Sequence, residues 1–315
     1  MGNQPSRGHA ELLVLKSYLL RIGLSNETVL ALIAKSDKNE CEVSDINMLL
    51  DFHLRTVPFE NLSMHEFPGD GVCKKVSKSN PTLIVSDTLK KIIFDKRGGF
   101  CFEINFAFAW LLKQLNFKVR LAESNVLMPN GPVPGHLCIL VDDLTEGTYL
   151  VDPGFGDSVR IPVPLTSNNN KPVCDSQIND EYLIIETKEF GSKLTAMLQR
   201  SRATAGGTPM IDFIGMDMPP PNKTPMTGAH IFNPNDNLDY DAEEFKNGLA
   251  CVLAEVPENL FSQKKIVSMS TTTGHKTLGS DYIKFVEHGV EIKRLPAVGE
   301  KAYREAASTY FGINL

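Results

Sequence analysis

The chain has 315 residues, of which 42% are hydrophobic and 22% charged, and its formal net charge at pH 7 is −6. This length can bury a large core and suggests about two or three domains. The acidic balance argues against nucleic acid as a partner, because phosphate binding needs a concentrated basic surface. No window approaches about 18 consecutive apolar residues and the N-terminus lacks an apolar signal segment, so we expect a cytoplasmic protein without a membrane span.

The six cysteines show no CxxC pair and no dense spacing. This pattern indicates neither a zinc knuckle nor a disulfide framework, so we expect no metal and a reducing compartment. The opening residues Met1–Ser6 fit the M-G-x-x-x-S/T pattern for acylation at Gly2. Because one acyl chain alone gives only marginal membrane binding, we expect no stable membrane association. We also expect the chain to act as a monomer.

Residues 1–117 carry apolar side chains at helical spacing. The first predicted helix follows the apolar run from Leu12 to Ile22. Three more helices are predicted to start at serine caps, namely Ser25, Ser44 and Ser86. This part of the chain therefore indicates a helical domain.

A further helix is predicted to begin at Cys101, directly after the pair Gly98-Gly99, and to run to about Asn116. An ordinary thiol has a pKa of about 8.5, but a helix N-terminus or a neighbouring imidazolium can lower it to roughly 3.5–7.5. Cys101 is therefore a candidate nucleophile whose pKa we expect to be lowered, although a lone cysteine is more often a buried structural residue. Asn105 lies one turn further along the same helix face.

Residues 118–205 change to short strands separated by Pro, Gly and Asn, which is typical of a β-barrel or sandwich. One predicted strand is opened by His136, and the next is closed by Asp152 before Pro153. If these strands pair as a hairpin across residues 142–147, the two polar side chains lie side by side. With Cys101 they would supply a nucleophile, a base and a residue that orients the base. Taken singly, the histidine could be a core or surface residue and the aspartate a turn residue.

An irregular stretch follows from Gly206 to Pro225, where a triple proline favours polyproline II over a packed element. We interpret it as a linker or a surface loop. Residues 240–315 regain helix and strand patterns, with a terminal helix predicted from about Val298 to Tyr310.

Several segments match, in order, the motifs of one enzyme family. They are Tyr18–Gly23, His53–Leu62, Arg97–Asn105, His136–Val141, Val151–Gly156 and Phe311–Leu315. These segments resemble the arylamine N-acetyltransferases, strongly over about residues 11–165 and weakly from 166 to 300.

The resemblance implies the α+β fold of that family. It implies an N-terminal helical domain over residues 1–117, a central β-barrel domain over 118–205, and a linker with a C-terminal α/β lid over 206–315. It also implies that Cys101, His136 and Asp152 form a catalytic triad like that of cysteine proteases.

The same resemblance implies roles for residues around the triad. Asn105 would hold the Asp152 carboxylate by a hydrogen bond, with Arg97 as a further supporting residue. Phe59 and Phe155 would face an aromatic acceptor, because ring-on-ring packing suits an aniline or a hydrazine.

Residues near the turn after Asp152 bear on the acyl donor. Gly154 and Gly156 would let backbone amides approach the phosphates of coenzyme A, although a simple turn explains both glycines equally well. Asp157 puts an acidic group where most relatives carry a small or basic residue, which leaves the acceptor open. Arg160 is the nearest cation for the extra carboxylate of malonyl-CoA, with a solvated surface arginine as the alternative.

The implied activity is a ping-pong transfer of an acetyl group from acetyl-CoA, the acyl-donor substrate, to an arylamine, arylhydrazine or similar aromatic amine, with a role in xenobiotic metabolism. Cys101 would carry the acyl intermediate. Malonyl-CoA and propionyl-CoA need the same triad, so the donor stays open. Two other classes also stay open: a thiol hydrolase with the same residues, and a non-catalytic protein that binds coenzyme A or a partner.

Overall fold

The computed structural model describes residues 8–69, 74–128, 130–144, 147–156, 159–166, 171–202, 226–254 and 260–315. The acylation pattern at Gly2, the residue Asp157 and the loop predicted from Gly206 to Pro225 lie outside these described residues. Both helices and antiparallel sheets are present, so the predicted α+β class is confirmed. Within the described ranges, no helix combines the length and the apolar character needed to cross a membrane.

Helices dominate the chain before residue 117. They are α1 (His9–Arg21), α2 (Asn26–Asp37), α3 (Val43–Leu54), α4 (Val85–Leu89), which continues as a π-helix (Lys90–Phe94), and α5 (Cys101–Gln114); a 3-10 turn (Leu62–Met64) lies between α3 and α4. The predicted cap at Ser25 is confirmed, since its hydroxyl accepts the amide of Thr28 at 3.1 Å.

The predicted caps at Ser44 and Ser86 are wrong. Helix α3 begins one residue before Ser44, because the Asp45 carboxylate accepts the amide of Glu42 at 2.7 Å and closes the first turn. Ser86 lies inside α4, whose N-cap is Ile84. At α3 a carboxylate therefore replaces the hydroxyl that the pattern indicated.

An eight-stranded antiparallel sheet follows. Its strands are β2 (Lys118–Met128), β3 (Gly131–Leu144), β4 (Gly147–Val151), β5 (Val163–Pro164), β6 (Val173–Cys174), β7 (Glu181–Glu186), β8 (Ala196–Ser201) and β9 (Thr227–Phe232). Their order across the sheet is β5-β4-β3-β2-β9-β8-β7-β6. Strand β5 at one edge also lies against β7 near the other edge, so the sheet curls toward a barrel.

A second antiparallel sheet joins the start of the chain to its end. It contains β1 (Phe59–Glu60), β10 (Val267–Ser270), β11 (Gly274–Leu278), β12 (Tyr282–Glu287) and β13 (Val290–Pro296), in the order β1-β10-β11-β12-β13. The terminal helix α8 (Glu300–Phe311) shares a core with this sheet.

Two more helices, α6 (Glu243–Leu253) and α7 (Leu260–Gln263), lie between the sheets in sequence. Helix α6 packs against β3 and α5, where the rings of Phe245 and Phe102 are 6.0 Å apart. The division at residues 117 and 205 stays a prediction. Two elements beyond residue 206 lie with earlier ones, since β9 belongs to the eight-stranded sheet and α6 to the core around α5.

Helix α5 is buried over nearly its whole surface. Most of its residues are apolar or aromatic, and every residue from Cys101 to Ala109 is buried. A helix that is apolar on all sides is stable only inside a core. The fold therefore holds the first turn of α5 firmly against β3.

Candidate active site

Cys101 is the first residue of α5, as predicted. Its Sγ lies 3.5 Å from the backbone carbonyl of Gly135, and the residue is 9% exposed. Glu103 fixes the helix start, because its carboxylate accepts the amide of Phe100 at 3.2 Å. The candidate nucleophile is therefore buried except for a small exposed fraction at the start of α5.

His136 lies inside β3, so the predicted start of that strand at His136 is wrong. Strand β3 begins at Gly131 and includes Pro132 and Pro134, which it tolerates because only β2 pairs with this half of the strand. The pairing with β2 shifts register at Gly135, whose φ is 117°. A bulge at a glycine redirects the neighbouring groups, and this one aims the carbonyl of Gly135 at the thiol.

His136 and Asp152 contact each other, as the hairpin predicts. Nε2 of His136 lies 2.7 Å from Oδ2 of Asp152, and both side chains are buried. Burial alone would raise the pKa of Asp152, but the charge and the hydrogen bond of His136 hold that pKa well below its ordinary value. Nδ1 of His136 is left as the ring nitrogen that can take a proton from a thiol.

Asn105 binds the other oxygen of Asp152. Its Nδ2 donates to Oδ1 of Asp152 at 2.8 Å and to the carbonyl of Leu137 at 2.7 Å. Its Oδ1 accepts the amide of Gly154 at 2.8 Å. One buried amide therefore joins α5, β3 and the turn after β4, and it fixes the orientation of the carboxylate.

Burial raises the pKa of the Cys101 thiol well above its ordinary value, and the nearby Asp152 carboxylate raises it further. The backbone amides of Cys101 and Phe102 at the helix start lower this pKa without offsetting the burial. The predicted lowering of the Cys101 pKa is therefore wrong for the thiol by itself. The thiol by itself is therefore protonated at neutral pH.

Arg97 supports the site through strand β1. Its Nη2 lies 2.8 Å from Oε1 of the buried Glu60. Lys91 lies between this carboxylate and that of Glu103, 3.8 Å from the first and 2.9 Å from the second. These four charges tie β1 to the first turn of α5 and so fix the strand that carries Phe59.

The two rings predicted to bind the acceptor differ in exposure. Phe155 is half-buried and packs edge-on against His136, with ring centroids 5.5 Å apart. Phe59 is only 7% exposed, and its ring lies 3.0 Å from the point where a Cβ on Gly156 would be. Gly156 therefore makes room for the Phe59 ring.

Gly154 has a packing explanation as well. A Cβ at this position would lie 2.6 Å from the carbonyl oxygen of Cys101, so a glycine is needed for the turn to approach the helix start. The amide of Gly154 is already bonded to Asn105. The contact of Gly154 and Gly156 with coenzyme A stays a prediction.

The sequence analysis missed His230, a buried histidine in β9. Its Nε2 lies 3.3 Å from Oδ2 of Asp152, and its Nδ1 lies 2.8 Å from Oγ of Ser124. Its ring is 5.4 Å from that of His136 and 5.3 Å from that of Phe155. A single histidine in a short strand forms no motif, and only the pairing of β9 with β2 brings it to the site.

His136, Asp152 and His230 are a group in the described ranges whose possible ligand atoms all lie within 4.8 Å of one another, close enough to hold a metal ion. The 2.7 Å separation between His136 and Asp152 is that of a charge-assisted hydrogen bond. The geometry matches a histidine oriented by a carboxylate, and the lack of a metal stays a prediction.

The alternative of a solvated surface arginine at Arg160 is wrong. The residue is 6% exposed, and its Nε lies 3.4 Å from Oδ2 of Asp175. Its Nη2 donates to Oε1 of Gln177 at 2.6 Å and to the carbonyl of Thr272 at 3.1 Å. The guanidinium thus links the two sheets, and its charge is engaged within the protein.

The chain is similar to known proteins in sequence and in fold. The sequence model of a family described as N-acetyltransferase matches residues 42–315. Arylamine N-acetyltransferase 2 of Rattus norvegicus is 25% identical over 292 residues, which cover 89% of this chain and 91% of the rat protein.

Solved structures share the fold. An arylamine N-acetyltransferase from Bacillus cereus, with a Cys-His-Glu catalytic triad, has a TM-score of 0.68 at 20% identity and covers 96% of this chain and 99% of its own. The Mycobacterium marinum arylamine N-acetyltransferase in complex with CoA has a TM-score of 0.68 at 17% identity, and the match covers 95% of this chain and 91% of the M. marinum chain. These likenesses confirm the predicted fold.

Proposed function

The chain belongs to the arylamine N-acetyltransferase family, and we propose that it moves an acetyl group from acetyl-CoA to an aromatic amine or hydrazine through an acetyl-Cys101 intermediate. One observation carries the proposal: the Cys101 thiol, at the start of a buried helix, lies beside the strand whose His136 is bonded to Asp152. Nucleophilic acyl transfer needs these three roles, a nucleophile, a base and a carboxylate that orients the base.

In the first half-reaction Nδ1 of His136 takes the proton from Sγ of Cys101. The thiolate attacks the thioester carbon of acetyl-CoA, a new C–S bond forms, and the carbonyl electron pair moves to oxygen. The bond to the coenzyme A sulfur then breaks, and coenzyme A leaves with the proton from His136. The backbone amide of Phe102, which already lowers the thiol pKa, supports the negative charge.

In the second half-reaction the amine attacks the acetyl carbon on Cys101. His136 takes the proton that the attacking nitrogen loses, and the C–S bond to Cys101 breaks as the amide forms. The thiolate then takes the proton back from His136, which restores the resting pair. In both halves Asp152 holds Nε2 of the imidazole protonated and oriented.

An aromatic acceptor is favoured by Phe155, whose half-buried ring packs against His136. A bound aromatic amine stacked there has its nitrogen near the base. Phe59 contributes differently, because its ring is covered by Gly156 and Phe261. We assign to Phe59 the support of the pocket wall.

Acetyl-CoA is the favoured donor, because the extra carboxylate of malonyl-CoA needs a free cation at the site. Arg160 is engaged by Asp175 and Gln177. Coenzyme A release from acetyl-, propionyl- and malonyl-CoA at equal concentration, with one hydrazine acceptor, tests this choice. Faster release from malonyl-CoA that is lost in Arg160→Ala would overturn the choice of donor.

Incubation with acetyl-CoA alone, followed by intact-mass spectrometry, tests the function. We expect wild type to gain the mass of one acetyl group, Cys101→Ala to gain none, and Cys138→Ala to behave as wild type. Cys138 is the matched control, since it is a buried cysteine of the same strand as His136. Coenzyme A release without an adduct would indicate a thiol hydrolase, and neither event would indicate a binding protein. Either result contradicts the proposal.

The proposal includes action as a monomer, in the cytoplasm, on foreign aromatic amines, without a nucleic-acid or membrane partner. Light scattering of the purified protein checks the oligomeric state.

A further inference from the structure

We propose that His230 is a positioning residue, which holds the Asp152 carboxylate toward His136 through the N–H at Nε2 of its ring. The inference rests on the proposed acetyl transfer, because it assigns a role within that site. His230 is completely buried in β9, and β9 is fixed by its pairing with β2 and β8. The ring therefore has no contact with water that would explain a polar side chain at this position.

Three donor groups surround the carboxylate of Asp152. Oδ1 accepts Nδ2 of Asn105 at 2.8 Å, and Oδ2 accepts Nε2 of His136 at 2.7 Å. Nε2 of His230 lies 3.3 Å from the same Oδ2, without the geometry of a formed hydrogen bond, and it has no other partner in the described residues. A buried polar atom that faces a carboxylate is positioned to donate to it.

The contacts of Ser124 and Asp152 together determine which ring nitrogen of His230 carries the proton. Its hydroxyl has one hydrogen, and its Oγ lies 2.8 Å from Nδ1 of His230 and 3.0 Å from the carbonyl of Ile231. If the hydroxyl donates to Ile231, Nδ1 must carry the proton and the lone pair of Nε2 faces the carboxylate, which is repulsive. If it donates to Nδ1, the proton is on Nε2 and faces Asp152. The second arrangement is favourable, so Asp152 selects the tautomer with the proton on Nε2, and Ser124 accommodates it by donating to Nδ1.

The surroundings keep this ring neutral. Burial lowers the pKa of His230, although the Asp152 carboxylate, 3.3 Å from Nε2, opposes that shift. In the part of the chain that the structure describes, the other titratable groups that face Asp152 are His136 and the thiols of Cys101 and Cys138. A neutral donor stabilises the carboxylate without placing a second cation beside His136. The imidazolium that forms during the reaction can therefore be at His136.

The donor can be removed while the ring contacts are kept. In His230→Phe the new ring still reaches Phe155 and Phe232. The charge of Asp152 is then stabilised by fewer donors, so the carboxylate holds the imidazolium that forms during the reaction more strongly. The measured quantity is kcat, as a function of pH, for transfer of the acetyl group from acetyl-Cys101 to hydrazine. We expect the midpoint of the acid limb of this profile to move up by about 0.5 to 1 pH unit, and kcat at neutral pH to fall with little change in KM.

Two further variants separate positioning from packing. His230→Gln retains an N–H that can reach Asp152, so its acid limb should lie close to that of wild type. Ser124→Ala removes the hydrogen bond that orients the ring of His230 and strengthens its Nε2 N–H as a donor, so it should move the acid limb in the same direction as His230→Phe but by less. If His230→Phe does not fold, the acid limb of Ser124→Ala decides the question.

His53→Phe is the matched control, because His53 is equally buried and its ring contacts Tyr18 and Phe108. It should lower stability and leave the acid limb in place. Intact-mass detection of acetyl-Cys101 reports separately on the reaction itself, and its absence in wild type contradicts the proposed function. If wild type is acetylated, two results overturn the role of His230. One is an acid limb that does not move in folded His230→Phe or in Ser124→Ala. The other is an equal shift of the acid limb in His53→Phe.

Discussion

Asn105 donates a hydrogen bond of 2.8 Å to Asp152 from one helical turn beyond the nucleophile. The same side chain bonds to Leu137 and Gly154, so its loss leaves buried polar atoms without partners. We expect Asn105→Ala to lower the free energy of unfolding by about 1–3 kcal/mol and to reduce acetyl transfer, because Asp152 can then turn away from His136. Urea unfolding and hydrazine acetylation measure the two effects. Full activity in this variant would show that the carboxylate needs no support from α5.

Cys101 should depend on His136 for its reaction with iodoacetamide. Burial and the charge of Asp152 raise the pKa of the thiol, so without a base the thiolate is rarer than for an ordinary cysteine. We expect wild type to react well below pH 8, and His136→Gln to react only above the ordinary thiol value of about 8.5.

Peptide mass spectrometry across a pH series gives the alkylation rate of Cys101 apart from the other cysteines. The glutamine can still donate to Asp152, so the comparison isolates the loss of the base. Identical profiles for the two proteins would mean that His136 does not activate the thiol.

His53 should make stability depend on pH. Burial lowers the pKa of His53 to about 3 in the folded chain, whereas the unfolded chain takes up this proton at about pH 6.5. Between these values the unfolded state binds more protons, so the free energy of unfolding falls as the pH falls, by at most about 1.4 kcal/mol per unit.

Urea unfolding at about pH 7 and about pH 5 measures this dependence. His53→Phe has no such proton to bind, so it should lose about 2 kcal/mol less stability over the interval than wild type does. An equal loss in the two proteins would assign the dependence to other groups.

The ion pair between Arg97 and Glu60 should matter for stability more than an exposed pair does. Glu60 is completely buried, so Arg97→Met leaves its charge with the more distant Lys91 and the backbone amide of Leu62 as compensation. We expect a loss of about 3–5 kcal/mol in the free energy of unfolding, and a smaller loss in the double variant Glu60→Gln/Arg97→Met. Urea unfolding of the single and double variants decides this. A double variant as unstable as the sum of its parts would rule out coupling between the two charges.

Local signals explain the part of the site that could be predicted from the sequence. A glycine pair before an apolar run placed Cys101 at a helix start, and a strand followed by Pro153 placed Asp152 at a strand end. The contact with His136 followed because a hairpin joins neighbouring strands. The helix caps were less predictable, since a carboxylate can replace a serine hydroxyl at the first turn.

Properties that depend on distant packing could not be predicted in this way. His230 reaches Asp152 only because β9 pairs with β2, and no pattern within β9 indicates that neighbour. The pKa of the Cys101 thiol is raised because several elements bury it, whereas the helix start alone indicated a lowered pKa. The burial of Arg160 could not be predicted either, because its guanidinium also bonds to Thr272, 112 residues away in sequence.

The central position of β9 also governs when the protein can fold. Ser124 and His230 are 106 residues apart, and Asn61 bonds to the amide of Ile266, 205 residues away. Contacts of such long range make folding slow, because large loops must close before any contact is gained. Until β9 has been synthesised, the facing edges of β2 and β8 have no partner and are open to strands of other molecules. A chain that stops before residue 227 is therefore expected to aggregate, and the complete site forms only late in folding.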